Sequence, residues 1–322
     1  MTDKKLISVI IPVYGVEKYI ERCARSLFGQ SFSEAEFIFV NDCTPDNSIS
    51  VLEDVIKDYP ECKNRVRVLE HGQNMGLPKS RQTGLAAANG EYIIHCDSDD
   101  WVEQDMLKSM YECAVKENAD LVVCDFSRTD GTKSTVEHCC HSTDLDTFKE
   151  NCLLQYDHWS LCNKLFRKSC YDGITYPKGA LGEDMMTCLQ LLNNCKKIAY
   201  VNRTFYNYYF NPNSITKKRS VENYIRNFYL LKENTDFVIE YIKEHYNNKT
   251  IDIELACKYL KMVNSFSLLY VKHLPEYNKL WEENRKAMPL RFFTNSKISG
   301  YNKIVYVLSA LNLFPRKKDW AV

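Results

Sequence analysis

Residues 6–126 alternate short apolar runs with helical periodicities, and this order constrains the fold more than any other feature of the chain. Residues 6–11, 36–40, 66–69, 92–96 and 121–124 read as strands. Several of them are apolar on both faces, as strands of a parallel sheet covered on both sides must be. Between the first two, Tyr19/Ile20, Cys23/Ala24 and Leu27/Phe28 recur every four residues and set one apolar stripe on a helix. Further helices are expected over residues 47–58, 78–89 and 103–118, the second closed by Gly90 in the position favoured after a helix end. The βαβαβαβαβ order predicts a doubly wound, mostly parallel α/β domain with its ligand at the carboxyl ends of the strands.

Residues 127–146 are polar and irregular and are expected to form an insertion or a variable arm. The signals then mix: a short strand over 161–166, a helix over 183–192, and strands over 198–201 and 205–210 complete the same domain. After Lys217 the pattern is helical. A boundary near residue 216 therefore divides an α/β domain, 1–216, from a helical C-terminal region, 217–322.

Charge divides the chain at the same place. The formal charge is zero, yet nineteen Lys/Arg stand against eleven Asp/Glu from Lys217 onward, a balance of +8 that leaves −8 for the rest. An acidic first two thirds does not go with a duplex-reading surface, which argues against nucleic acid as the main ligand. At 45% apolar and 26% charged residues, disordered and fibrous classes are excluded. The fourteen cysteines follow no signal-peptide core and include no Cys-x-x-Cys pair, so a cytoplasmic protein with reduced, mostly buried thiols is expected and structural zinc is poorly supported.

Three segments carry chemistry. Asp97-Ser98-Asp99-Asp100 follows the strand that ends at Cys96. Carboxylates crowded at a strand's carboxyl end repel one another, and a divalent cation bridging to a phosphorylated ligand would offset that. In an extended segment Asp97 and Asp99 share a face, and oxygen ligands alone favour Mg²⁺ or Mn²⁺. The same run would also serve as a solvated acidic turn or a helix cap. Asp42, within Asn41-Asp42-Cys43-Thr44-Pro45-Asp46-Asn47-Ser48, sits where a side chain reaches a base or ribose, or caps the next helix. Arg81 lies one turn into a helix behind Asn74-Met75-Gly76-Leu77-Pro78, placed to neutralise diphosphate or to sit at the surface. A Gly-x-Gly-x-x-Gly turn and a Walker loop are both missing. His95 lies within an apolar strand and reads as an interior histidine.

Taken together, Ile10-Ile11-Pro12-Val13-Tyr14, Val40 through Ser48, Asn74-x-Gly76 with Ser80-Arg81, and Asp97-Ser98-Asp99-Asp100 resemble, in order and spacing, the family 2 glycosyltransferases of bacterial surface-polysaccharide synthesis. The resemblance covers residues 6–126 and continues through Trp159 to Phe166, Gly182-Glu183-Asp184, and Tyr208-Tyr209 with Asn213-Ser214-Ile215-Thr216. Asn41-Asp42-Cys43 departs from the family's usual Asp-Asp-Gly, and Gln82 stands where Asn often follows the arginine.

The resemblance implies a GT-A fold, a nucleotide-diphosphate-sugar donor, most simply UDP-linked, inversion at the anomeric carbon, and Mn²⁺ or Mg²⁺ as cofactor. It assigns Asp42 to the base, Asp97 to the ribose or metal and Asp99 to the metal. Pro12, Val13 and Tyr14 would line the base and ribose pocket, with Ser98 and Arg81 beside the donor. Asp184 would be the base that deprotonates the acceptor, with Glu183 as its neighbour and alternative. Lys164 and Ser214 would touch donor phosphate, and Trp101 and Trp159 would form sugar platforms or join the core. A sugar-phosphate nucleotidyltransferase would need a glycine- and arginine-rich loop after the first strand, and Pro12 to Lys18 is not one. A non-catalytic carbohydrate-binding protein would have no use for Asp42, Asp97, Asp99 and Asp184 together.

From Arg285 onward eight Lys/Arg face a single acid, Asp319, and Tyr301 to Phe314 is largely apolar. Fourteen residues are too few for a bilayer span, which takes about 20. The segment is expected either to lie peripherally on an anionic membrane, which suits a glycan or lipid-linked acceptor, or to pack as a helix with a solvated basic end.

Overall fold

The computed structural model describes residues 6–210, 220–311 and 313. Contacts gather them into two compact units. The described residues of Met1–Leu145, Ser160–Lys178 and Asn194–Asn211 form the first, and those of Asp146–Trp159, Gly179–Asn193 and Pro212–Val322 the second. The boundary at residue 216 falls outside the described residues.

The first unit is built on β1 (Ile7–Val13), α1 (Ile20–Phe28), β2 (Ala35–Asn41), α2 (Ser48–Asp58), β3 (Val66–Glu70), α3 (Leu77–Ala87), β4 (Tyr92–His95), β5 (Trp101–Val102), α4 (Met106–Glu117), β6 (Leu121–Thr129), β7 (Ser134–Glu137), β8 (Lys164–Arg167) and β9 (Ile198–Tyr209). One sheet takes them in the order β3-β2-β1-β4-β8-β6-β9-β5, with β7 hung on β6. The strands β3, β2, β1 and β4 run parallel, with Ile10 opposite both Ile38 and His95. β1 and β4 are buried along their whole length, as strands covered on both sides are, while β3 at the edge is half-buried. β8 then enters antiparallel to both β4 and β6. The sheet is accordingly mixed: parallel from β3 to β4, where the carboxyl ends gather the motifs, and of both senses beyond, where β8 runs antiparallel to its neighbours but β9 runs parallel to β6.

Three local expectations change. Gly90 does not close α3, which ends at Ala87 with Ala88 extended. It lies instead beside β1, where a Cβ would stand 2.5 Å from the Ser8 nitrogen and 2.7 Å from the Ile7 carbonyl carbon. Residues 127–137 are no irregular arm: β6 continues to Thr129 and pairs with β7 as a hairpin whose turn is closed by the Asp130 carboxylate. The two strands expected over 198–210 are one, β9, bent by register shifts opposite Cys124, Asp125 and Phe126.

The Gly90 contact gives a first prediction. Backbone cannot yield as a flexible side chain can, so Gly90→Ala is expected to destabilise by about 1–3 kcal/mol, the scale of overpacking. Thermal unfolding reads the loss, and an unchanged melting temperature would contradict the close approach.

The second unit holds α5 (Leu145–Leu153), α6 (Glu183–Asn194), α7 (Val221–His245), α8 (Ile253–Val263), α9 (Pro275–Arg285), α10 (Leu290–Thr294) and α11 (Gly300–Ala310). The 25-residue α7 is capped by Ser220, whose Oγ accepts the Asn223 N–H, and α8 by Asp252, which accepts the Leu255 N–H. Phe228, Leu255, Tyr259, Met262, Leu268, Trp281 and Phe292 pack into one apolar cluster. Of the fourteen cysteines, all free thiols, eleven are buried and Cys43 is exposed.

Candidate active site

The motif residues of the first unit collect at the carboxyl ends of β1, β2 and β4. Sheet register puts them there: Val13 pairs with Asn41, and Ile10 of β1 pairs with His95 of β4, after which the Cys96 N–H donates to the Ile10 carbonyl.

The Asp97–Asp100 segment is a turn, closed by the Asp100 N–H donating to the Asp97 carbonyl at 3.1 Å. Asp97 and Asp99 are half-buried, whereas Ser98 and Asp100 are buried. The alternation expected from an extended chain thus arises from a turn. Ser98 points inward, its Oγ donating to the Pro12 carbonyl at 2.6 Å. Asp100 accepts the Tyr206 hydroxyl at 2.6 Å and the Tyr209 N–H at 2.7 Å, and Tyr206 Oη accepts the Asp97 N–H at 3.0 Å. Burial first, then the charges of Asp97 and Asp99, push the Asp100 carboxyl well above the usual carboxylate range.

Two cations attend this turn. Arg81 of α3 donates from Nη2 to Asp97 Oδ1 at 2.9 Å. Arg22 of α1 donates to the Asp99 carbonyl at 2.9 Å, with its guanidinium 3.7 Å from the Trp101 ring centre and 4.6 Å from that of Tyr209. Burial lowers the Arg22 pKa against the pull of Tyr209 and Asp100. One face of Trp101 is therefore already covered.

Asp42 is 3% exposed. Its Oδ1 lies 2.7 Å from both His71 Nδ1 and the Met75 N–H, and its Oδ2 accepts the Gly76 N–H at 2.7 Å. His71 Nε2 continues to Thr83 Oγ1 in α3 at 2.9 Å. The carboxylate assigned by resemblance to a base holds the 71–76 loop in place. Cys43, beside it, sits at φ +56, in the left-handed region where glycine is at ease. Opposite, the Gly15, Val16 and Glu17 N–H groups donate to Thr44 Oγ1, Ser48 Oγ and Asp46 Oδ2, so the loops after β1 and β2 are laced together. Burial alone would raise Asp46, but hydrogen bonds from Ser48, Thr44 and Glu17 outweigh it and hold the carboxyl low. Pro12 and Val13 are buried in β1, and Tyr14 stands 48% exposed above this lacing.

Lys164 is not at the surface: it is fully buried on β8, with Nζ donating to the Ser160 carbonyl at 2.9 Å and Asn163 Oδ1 at 3.1 Å. Ser214 lies outside the described residues. Trp159, half-buried, belongs to the second unit, as do Glu183 and Asp184. There Gly182, at φ +73, leads into α6 and its carbonyl accepts the Met186 N–H. Asn234 of α7 fastens the approach by donating to the Leu181 carbonyl at 2.7 Å. Asp184 is half-buried and Glu183 buried. His95 is buried against the Tyr171 hydroxyl.

Sequence reading missed His71, Arg22 and Tyr206. His71 was within reach, since it directly follows β3 at the ligand-bearing end of a parallel strand. Arg22 and Tyr206 carry no such signal, because their roles come from a helix face and a late strand meeting one turn.

This arrangement, motif-bearing loops over a parallel half-sheet with a carboxylate turn after β4, is that of a GT-A glycosyltransferase. Residues 8–168 match the model for glycosyl transferase family 2, and the chain belongs to that family. The uncharacterised glycosyltransferase EpsJ of Bacillus subtilis is 30% identical over 240 residues, 70% of this chain and 68% of EpsJ. Glycosyltransferase GlyA of Streptococcus pneumoniae is 28% identical over 67% of this chain, which spans about a third (32%) of GlyA. Among solved structures, Staphylococcus aureus TarS 1–349 in complex with UDP-GlcNAc superposes with a TM-score of 0.68 at 18% identity, over 96% of this chain and 88% of that one. The chain is a family 2 glycosyltransferase.

Proposed function

We propose that this glycosyltransferase moves a sugar from a UDP-linked donor to a hydroxyl of a glycan or lipid-linked acceptor, with inversion at the anomeric carbon, in the building of a cell-surface polysaccharide on the cytoplasmic side of the membrane. The observation that carries the reading is the Asp97–Asp100 turn, which offers Asp97 and Asp99 outward while Ser98 and Asp100 anchor it. The UDP-GlcNAc held by TarS supports the choice of nucleotide, and EpsJ supports the class of reaction.

Two half-buried carboxylates fit Mg²⁺ or Mn²⁺, which binds through one or two carboxylates and substrate phosphate; the neighbouring Cys23 and Cys96 thiols are buried and turned to the Asp97 carbonyl. Asp99, with Asp97 alongside, would hold the cation, which supplies neutralisation of charge on the departing diphosphate. Arg81 orients Asp97. Asp42 acts on the donor through the 71–76 loop, and Pro12, Val13 and Tyr14 form the base and ribose wall. Asp184, on the first turn of α6, takes the acceptor proton as the hydroxyl oxygen attacks the anomeric carbon. Among the described residues no helix is long and apolar enough to cross a membrane; the basic C-terminal segment is proposed to keep the enzyme at the membrane surface.

Cys43 provides the test, being the exposed thiol next to Asp42. Its modification by a maleimide should slow severalfold in the presence of UDP and Mn²⁺, and Cys43→Ser should remove the fast phase. Protection by GDP in place of UDP would reassign the nucleotide. An unchanged rate under saturating UDP and Mn²⁺ would remove the donor from this face.

A further inference from the structure

Helix α11 leaves an apolar stripe on its outer face. Asn302, Val305 and Ser309 are buried, with Asn302 Nδ2 donating to the Tyr259 hydroxyl at 2.6 Å. Outward stand Tyr301, Ile304 and Val307, with Leu311 just past the helix end, between 40% and 65% exposed. Their spacing of three, three and four residues sets them in one stripe. Phe293 of α10, itself partly open, packs its ring on Tyr306 of α11 at 5.7 Å, and Leu290, at the start of α10, is 79% exposed. A contiguous apolar surface of this kind marks a docking site.

The charge around the stripe identifies the occupant. From Arg285 through Lys318 the sequence has eight Lys/Arg and no Asp or Glu. Arg285, Arg291 and Lys297 are engaged by Glu282, by Asp252 and Glu254, and by Glu150. Lys286 and Lys303 have no acidic partner among the described residues; Lys303 donates to the Asn295 carbonyl. Lys303 adjoins Ile304 in the stripe, and Arg316, Lys317 and Lys318 follow it in sequence. A second copy docked here about a twofold axis would set these cations against their own mates with no acid in the segment to offset them. The stripe is also small for that purpose: an eleven-residue helix is about 16 Å long and about 10 Å wide, whereas a stable dimer buries roughly 800 Å² on each partner.

We propose that α11, extended by Leu290 and Phe293, is an interfacial element that lays its apolar stripe in the headgroup layer of an anionic lipid membrane while the unpaired cations meet lipid phosphate. The inference rests on the surface association proposed above and names the face that makes it.

The test sediments the full chain with phosphatidylcholine vesicles, with and without phosphatidylglycerol. Binding is expected to need phosphatidylglycerol and to fall with salt. Ile304→Ser with Leu311→Ser should lower the partition about tenfold or more, and Lys286→Gln with Lys303→Gln by a smaller factor. All four positions lie outside the buried core, so melting temperatures should hold. Failure of the wild-type chain to sediment with phosphatidylglycerol vesicles at low salt overturns the proposal. So does a wild-type dimer in sedimentation velocity that the Ile304→Ser, Leu311→Ser chain loses, which would make a second copy the occupant. Hydrolysis of UDP-sugar by the same variants in solution reads the catalytic proposal separately and is expected to be unchanged.

Discussion

Asp99→Asn is expected to abolish the joint binding of UDP and Mn²⁺ while leaving the fold intact. The turn does not depend on the Asp99 carboxylate for its main anchors: Arg22 grips the Asp99 carbonyl, Ser98 grips β1, and Asp100 is held by Tyr206 and Tyr209. What the substitution removes is one of two outward negative charges. The charge balance of the site makes that loss large. Asp97 and Asp99 already face the cations of Arg81 and Arg22, so Mn²⁺ alone should bind weakly and UDP alone should meet two carboxylates. Only together do cation and diphosphate complete the site, and removing Asp99 breaks the partnership. Calorimetry should show synergy between Mn²⁺ and UDP in the wild type. In Asp99→Asn the joint affinity should fall by roughly 10²-fold or more, in line with the several kcal/mol a metal-held charge supplies. Equal metal-dependent affinity in a folded variant would take Asp99 out of the metal site.

Asp184→Asn should leave donor affinity in place and reduce transfer by ~10²–10⁴. The amide keeps the size and much of the hydrogen bonding of the side chain but not its basic oxygen. Glu183→Gln separates chemistry from architecture. Glu183 is buried at the start of α6 and Asp184 is half-buried, so Glu183→Gln should act chiefly on melting temperature, by a capping-sized amount of roughly 1 kcal/mol. Donor affinity, melting temperature and transfer rate measured on both variants decide the matter. Near wild-type transfer by Asp184→Asn would exclude it as the base and turn attention to Glu183.

The parallel half of the sheet was readable because strands buried on both faces leave largely apolar runs, as Ile7–Val13 and Tyr92–His95 do. The other half, where strands of both senses meet, was harder. In β9 the polar Asn202-Arg203-Thr204 interrupts the run where its register slips opposite Cys124 and Asp125 of β6, so one strand looked like two, and the polar β6–β7 hairpin looked like no structure at all. Gly90 misled for another reason. A glycine after a helical run signals a helix end, but here its missing Cβ serves the approach to Ser8, a long-range contact that local pattern cannot express. Within the site, Asp97 and Asp99 do share the more open side, as their spacing predicted, but through a turn rather than the extended segment that spacing implied, because a turn and a strand expose alternate residues by different routes. Lys164 gave no warning of its burial: an ammonium enclosed between Ser160 and Asn163 depends on partners that only the folded chain supplies.

The clamp on Asp42 bears on how such an enzyme can change over generations. One carboxylate binds two backbone N–H groups and His71, and through Thr83 the loops after β2 and β3 share their fate with α3. Inserting or deleting a residue anywhere in 71–76 would unseat all of these at once, so drift in loop length is closed to this part of the lineage. Exposed positions beside the clamp, Tyr14 and Cys43, carry no such obligation and are where a new nucleotide preference could arise one substitution at a time.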